Sequence, residues 1–210
     1  MSKMARNSSR NPDRFQKAVS TFKRKGGVLK TTEILKAGIH QSTLYDLVKD
    51  GKLERISHGV YRLTDNPPLS HPDLMLIAKR ISKGVICLLS ALSFHNITTH
   101  IPHEIHVALP FGAEEPRLEY PPIRTFRFSK MAFTGGVQIQ RINGVKIKVY
   151  SPEKTLADCF KFRNTIGLDT AIEALKLYRD QRDVKVDEIM HFASICRVTK
   201  IMRPYLEALL

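Results

Sequence analysis

Between Gly26 and Leu63 the apolar residues change their period once, and that change constrains the fold more than any other feature of the chain. As far as Gly51 they recur at helical spacing; beyond it they alternate as in a strand. Asn11-Pro12 reads as an N-cap followed by a proline at the first helical position. Phe15, Ala18, Val19 and Phe22 then form the apolar stripe of a first helix, which Gly26-Gly27 ends. Thr31 or Thr32 caps a short second helix carrying Ile34 and Leu35, and Gly38 stops it by accepting a left-handed conformation. After the tight turn Gly38-Ile39-His40 comes a third helix, Gln41 to Asp50, with Leu44, Leu47 and Val48 inward and Gly51 as its stop. Leu53–Ile56 and Val60–Leu63 flank Ser57-His58-Gly59, a short hairpin loop. Three helices followed by a β-hairpin spell a winged helix-turn-helix.

Asp65-Asn66-Pro67-Pro68 disfavours both helix and strand, so the sequence predicts a boundary there between a domain over 11–65 and a larger one over 69–210. The larger domain opens with helices near Pro72–Ser82 and Leu89–Asn96 and continues with strands at Glu104–Leu109 and Ile123–Phe128. A hairpin follows over Val137–Tyr150, where Val137, Ile139, Val145, Ile147 and Val149 alternate with polar residues around Asn143-Gly144. Ser151-Pro152-Glu153 supplies a cap, a first-turn proline and a first-turn acid for a helix through Arg163. Further helices fit Asp169–Gln181, Val186–Ile195 and the last dozen residues, so the fold class is α+β throughout. Met1 to Arg10 is polar, basic and aperiodic, as in a solvated arm.

The formal charge of +14 draws the chain towards polyanions. Residues 1–65 hold 14 Lys/Arg against 6 Asp/Glu and the rest hold 20 against 14, so the first third is much the more basic per residue. With 42% hydrophobic and 26% charged residues, no run long enough to span a bilayer and no apolar leader, the expectation is a cytoplasmic globular protein with no membrane partner. Cys87, Cys159 and Cys196 are odd in number and set among apolar residues, which predicts reduced structural thiols.

In a helix-turn-helix the second helix of the pair lies in the major groove. Here that helix would present Gln41, Ser42, Thr43, Tyr45, Asp46 and Lys49 as its exposed face. Glutamine can bond adenine bidentately, threonine can meet a thymine methyl and aspartate can accept from cytosine, while Lys49 would hold a phosphate. The hairpin adds Arg55, His58 and Arg62 around its tip for backbone or minor-groove contacts, with Arg55 and Arg62 expected on phosphates. Tyr61 either packs beneath the wing or reaches a phosphate.

Catalytic and cofactor patterns are weak. His95, His100, His103 and His106 are close in sequence, but only Glu104 and His106 share a strand face, so no metal is expected. Glu153, Asp158 and Cys159 lack the strand-borne carboxylate and lysine of a metal-dependent nuclease and fit a capped amphipathic helix better. There is no GxxxxGK[ST], GxGxxG or GxSxG, so no cofactor and no enzymatic activity are predicted. The Tyr150–Asp158 strand-to-helix junction reads as having an exposed polar start, open either to an anionic partner or to a purely structural role. A DNA-targeted nuclease would need acids converging in a pocket of the second domain, and an RNA-binding or structural adaptor would need aromatics on an exposed sheet face. Neither is visible.

The stretch GGVLKTTEILKAGIHQSTLYDLVKDGKLERISHGVYRL from Gly26 to Leu63 resembles the N-terminal domain of AbiEi-type antitoxins of abortive-infection systems. Leu89-Ser90-Ala91-Leu92 before His95, the EIHVALP strand, Arg124-Thr125-Phe126-Arg127 and above all Tyr150 to Asp158, YSPEKTLAD, resemble that family's C-terminal domain. The resemblance implies a type IV antitoxin. Its N-terminal domain would repress its own operon by binding inverted repeats in double-stranded DNA, and its C-terminal domain would counter a nucleotidyltransferase toxin without a stable complex. A stand-alone regulator lacking a toxin partner is the other role open to such a chain.

Overall fold

The computed structural model describes residues 12–65, 71–181 and 183–209. The arm, the Asn11 cap and the Asn66-Pro67-Pro68 linker of the sequence reading lie outside the described residues. The chain divides into two compact units, one of Met1–Ser70 with Asn143–Val145 and one of His71–Ile142 with Lys146–Leu210.

The first unit is a winged helix-turn-helix. Helix α1 (Pro12–Arg24) carries Asp13 in its first turn and Lys23 and Arg24 in its last, which suits the helix dipole, and buries Ala18 and Phe22. Strand β1 (Val28–Lys30) follows, then α2 (Thr31–Lys36), α3 (Gln41–Lys49), β2 (Leu53–Ser57) and β3 (Val60–Leu63). The sheet order is β1-β3-β2, with β1 antiparallel to β3 through Leu29 opposite Tyr61. Sequence periodicity does not reveal β1, because three residues are too few to establish an alternation.

The cap of α2 also differs from expectation. Lys30 occupies the N-cap, and its backbone N–H donates to Glu33 Oε2 at 2.8 Å. Thr31 is drawn elsewhere: its N–H and its hydroxyl both donate to the Gly59 carbonyl, at 2.9 and 3.3 Å, tying the start of α2 to the hairpin loop. Leu29, Ile34, Ile39, Leu44, Leu47, Leu53 and Leu63 close one core with α1.

The second unit is α+β. It comprises α4 (Pro72–Arg80), β4 (Val85–Ile86), α5 (Leu88–Phe94), β5 (Ile105–Pro110), β6 (Ile123–Phe128), α6 (Lys130–Thr134), β7 (Val137–Ile142) and β8 (Val145–Tyr150), followed by five helices. These are α7 (Pro152–Lys161), α8 (Arg163–Ile166), α9 (Leu168–Arg179), α10 (Val186–Cys196) and α11 (Thr199–Leu209). Its five strands run in the order β6-β5-β4-β8-β7, with β4 antiparallel to β5 but parallel to β8. The two residues of β4 thus sit at the centre of a sheet that the sequence reading assembles without them.

Helix α7 is the pivot of this unit, packing against α5, α9, α10 and α11. Ser151 caps it as expected, accepting from the Lys154 N–H at 3.2 Å, and Pro152 stands in its first turn. The junction is nonetheless not exposed: Ser151 and Glu153 are 5% exposed, and Lys154, Thr155 and Asp158 are wholly buried. An anion has no access to this helix start, so the expected open polar junction is corrected to a core element. Charged residue types suggested a solvated start, but each finds its partner inside. Lys154 Nζ meets both carboxylate oxygens of Asp158 at 2.5 Å, and the Cys196 thiol donates to Asp158 Oδ1 at 3.2 Å. The ammonium also lies 4.4 Å from the centre of the Tyr150 ring and 4.9 Å from that of Phe128. The Tyr178 hydroxyl donates to Glu153 Oε1 at 2.8 Å.

Removing one member of a buried ion pair strands the other charge, so Asp158→Ala should destabilise the protein by about 3–5 kcal/mol. The double substitution Lys154→Met with Asp158→Leu should recover most of that loss, because two apolar side chains leave no charge unpaired. Urea denaturation of the variants measures both, and an Asp158→Ala protein as stable as the parent would contradict the pairing.

A candidate nucleic-acid interface

Between α2 and α3 stands Gly38, whose φ of +77° is a conformation that side chains with a Cβ resist. Ile39 anchors the turn in the core at 5% exposure. Helix α3 then divides into two arcs. Thr43, Leu44 and Leu47 are buried and Val48 is half-buried, while Gln41, Ser42, Tyr45, Asp46 and Lys49 are exposed.

Thr43 is therefore a correction to the sequence reading, which places it on the exposed face. At about 100° per residue it falls about 40° from Leu47, on the core side of the helix. It is 8% exposed, so it cannot offer its methyl to a base as expected. Its polarity pointed outward, but its position on the helix decided the matter. On the exposed arc Gln41 Nε2 donates to the Tyr45 hydroxyl oxygen at 3.1 Å. His40, the N-cap residue, makes no side-chain capping bond.

The hairpin separates the two arginines that the sequence reading treats alike. Cross-strand partners share a face of the sheet, and Arg55 pairs with Tyr61 while Glu54 pairs with Arg62. Arg55 thus emerges from the face that also carries Leu53, Tyr61 and Leu63, the face packed on the helices; it is exposed, beside a register shift before Ser57. Arg62 lies on the opposite face with Val28 and Val60. Its guanidinium donates to Glu54 Oε2 through Nε at 2.9 Å and through a terminal nitrogen at 2.8 Å. Arg62, its side chain 24% exposed, thus forms a cross-strand ion pair with Glu54, whereas Arg55 stands on the other face. His58 is exposed at the hairpin turn. Tyr61 packs beneath the wing at 7% exposure, which settles the alternative left open for it.

Among the described residues no three His, Cys, Asp or Glu side chains converge as metal ligands. His95 Nε2 lies 2.7 Å from the Tyr150 carbonyl, and burial lowers the pKa of its ring. His106 is 2% exposed, and burial brings its pKa down to about 4 although Glu104 stands 3.7 Å away. Cys87, Cys159 and Cys196 are free and buried, and burial raises the pKa of each thiol. Among the described residues no helix is long and apolar enough to cross a membrane.

No curated protein matches the sequence. The crystal structure of the RV2827C protein from Mycobacterium tuberculosis aligns over 88% of this chain and 72% of its own, with a TM-score of 0.56 at 17% identity, a likeness of fold alone. At the level of sequence, residues 16–64, which run from within α1 to just past the end of β3, match the family described as "Transcriptional regulator, AbiEi antitoxin", so the first unit carries the winged-helix pattern of that family of DNA-binding regulators.

Proposed function

We propose that this protein is a cytoplasmic autorepressor that binds inverted repeats in the double-stranded DNA of its own promoter through the first unit. The observation that carries the reading is the placement of Gln41, Ser42, Tyr45 and Lys49 along one exposed arc of α3, with Arg55 emerging from the helix-packed face of the wing. A helix of this kind reads base edges from its N-terminal end while cations and the wing hold phosphates. Gln41 is assigned to a base, Ser42 and Tyr45 to the same groove, and Lys49, Arg55 and His58 to the backbone. The charge of the first 65 residues, 14 Lys/Arg against 6 Asp/Glu, supports the same partner.

The second half of the proposal is an antitoxin role for residues 69–210, countering a nucleotidyltransferase toxin without a stable complex. Its support is the family match of the first unit together with the likeness of the YSPEKTLAD segment to antitoxin C-terminal domains. The region 11–65 is proposed to be a separately folding domain, since the first unit closes its own core.

Gln41→Ala should relax discrimination between operator and scrambled DNA by about 1–3 kcal/mol while leaving the salt dependence intact. Arg55→Ala should weaken both DNAs alike and flatten the salt slope by about one unit. Arg62→Ala should do neither, because its charge is already spent on Glu54. Fluorescence anisotropy titrations at several salt concentrations measure all three, and equal loss of specificity from Gln41→Ala and Arg55→Ala would contradict the assignment.

Residues 66–210 alone should rescue growth when a neighbouring nucleotidyltransferase toxin is induced, and residues 11–65 alone should fold, bind promoter DNA and fail to rescue. Growth assays beside a promoter reporter, with an NMR spectrum of the smaller fragment, read these outcomes. Loss of rescue with every DNA-binding substitution would leave protection to transcription alone and favour a stand-alone regulator.

A further inference from the structure

The exposed arc of α3 carries an aromatic ring that the core of the first unit does not use. Tyr45 is 58% exposed, one turn after Gln41 and one turn before Lys49, and its hydroxyl oxygen accepts the 3.1 Å hydrogen bond from Gln41 Nε2. With Thr43 in the core, Gln41 is the side chain on this arc whose amide offers a donor and an acceptor side by side.

A glutamine amide has two N–H donors and one carbonyl acceptor. One N–H engaged by Tyr45 leaves the carbonyl and the second N–H, the pair that matches adenine N6 and N7 in the major groove. An untethered glutamine on a helix surface samples many rotamers and loses that freedom when it binds, so a tether that selects one rotamer beforehand lowers the entropic cost of reading a base. The phenol supplies the tether from the next turn of the same helix, where residues four apart are neighbours.

We propose that Tyr45 is a positioning residue that presets the Gln41 amide to read one A·T pair of the operator half-site. This rests on the operator-binding reading given above and adds to it a second residue and the base pair that the two together select. The Tyr45 hydroxyl acts through Gln41, so loss of that hydroxyl changes sequence discrimination at Gln41's base pair and nowhere else.

The test uses the full-length protein as wild type, Gln41→Ala, Tyr45→Phe and the double variant. Each is titrated against double-stranded DNA from upstream of its own gene and against a set of single base-pair substitutions across the bound site. Tyr45→Phe keeps the ring and removes the hydroxyl from an exposed position, and thermal melting of each variant verifies the fold. The expected result is that Gln41→Ala loses about tenfold or more of its discrimination at a single A·T pair. Tyr45→Phe should lose about three- to fivefold at that same pair, with an unchanged salt slope, and the double variant should match Gln41→Ala. Tyr45→Phe discriminating like wild type, weakening every DNA equally as a phosphate contact would, or adding its effect in full to that of Gln41→Ala would each overturn the proposal. If the wild-type protein fails to bind its upstream DNA, the operator reading falls and this inference with it; if it binds and Tyr45→Phe changes nothing, only this inference falls.

Discussion

The buried pair of Lys154 and Asp158 is the constraint around which the second unit is arranged. Removing a carboxylate and an ammonium from water costs several kcal/mol per ion, and only close geometry with further hydrogen bonds offsets it. Three neighbouring elements contribute to that compensation. Strand β8 brings the Tyr150 ring and β6 the Phe128 ring to the ammonium, and α10 brings the Cys196 thiol to the carboxylate. Gly136, just before β7, leaves room where a Cβ would stand 2.6 Å from that of Lys154. Burial raises the pKa of the Asp158 carboxyl, while Lys154 and the thiol of Cys196 act in the opposite sense. Because both charges stand on α7, rotation or sliding of the helix would carry the pair together away from the Tyr150 and Phe128 rings and the Cys196 thiol, so these contacts favour one register of α7 against the sheet, and α5, α9 and α10 pack on it.

The first unit is held by ordinary apolar packing and by a few backbone links. Thr31 joins the start of α2 to the hairpin loop through the Gly59 carbonyl. The polar side chains proposed for DNA stand where this core runs out: Gln41 and Tyr45 along the outer arc of α3, Arg55 at the edge strand of the sheet. Rigid support beneath exposed polar groups is what base reading requires, since a specific contact is worth little if its register on the duplex drifts.

Much of this was legible in the sequence wherever an element was long enough to show a period. The apolar stripe of α1, the outline of α2-turn-α3, the two hairpins and the capped start of α7 all follow from spacing and from glycine or proline stops. Strands β1 and β4 were not legible, since two or three residues acquire strand conformation from neighbours distant in sequence. Residue type misled where position outweighed it. Thr43 is polar but faces the core, Lys154 and Asp158 are charged but find each other one turn apart in the interior, and Arg62 meets Glu54 only because β2 and β3 pair in that register. Partnership of this kind is a property of the folded register, which composition does not encode.

All three cysteines of the chain belong to the second unit, where each is buried and its thiol is held protonated by the surrounding apolar medium. A thiol reagent reacts with thiolate and needs access, so the native second unit is chemically silent towards it. Labelling then requires this unit to open, and with a reagent fast enough to outpace reclosing, Cys196, bonded to Asp158, becomes a clock for separation of α10 from α7. The first unit contains no cysteine and leaves no trace in such an experiment, so the unmodified protein already carries a probe that reports the breathing of the second unit and ignores the first.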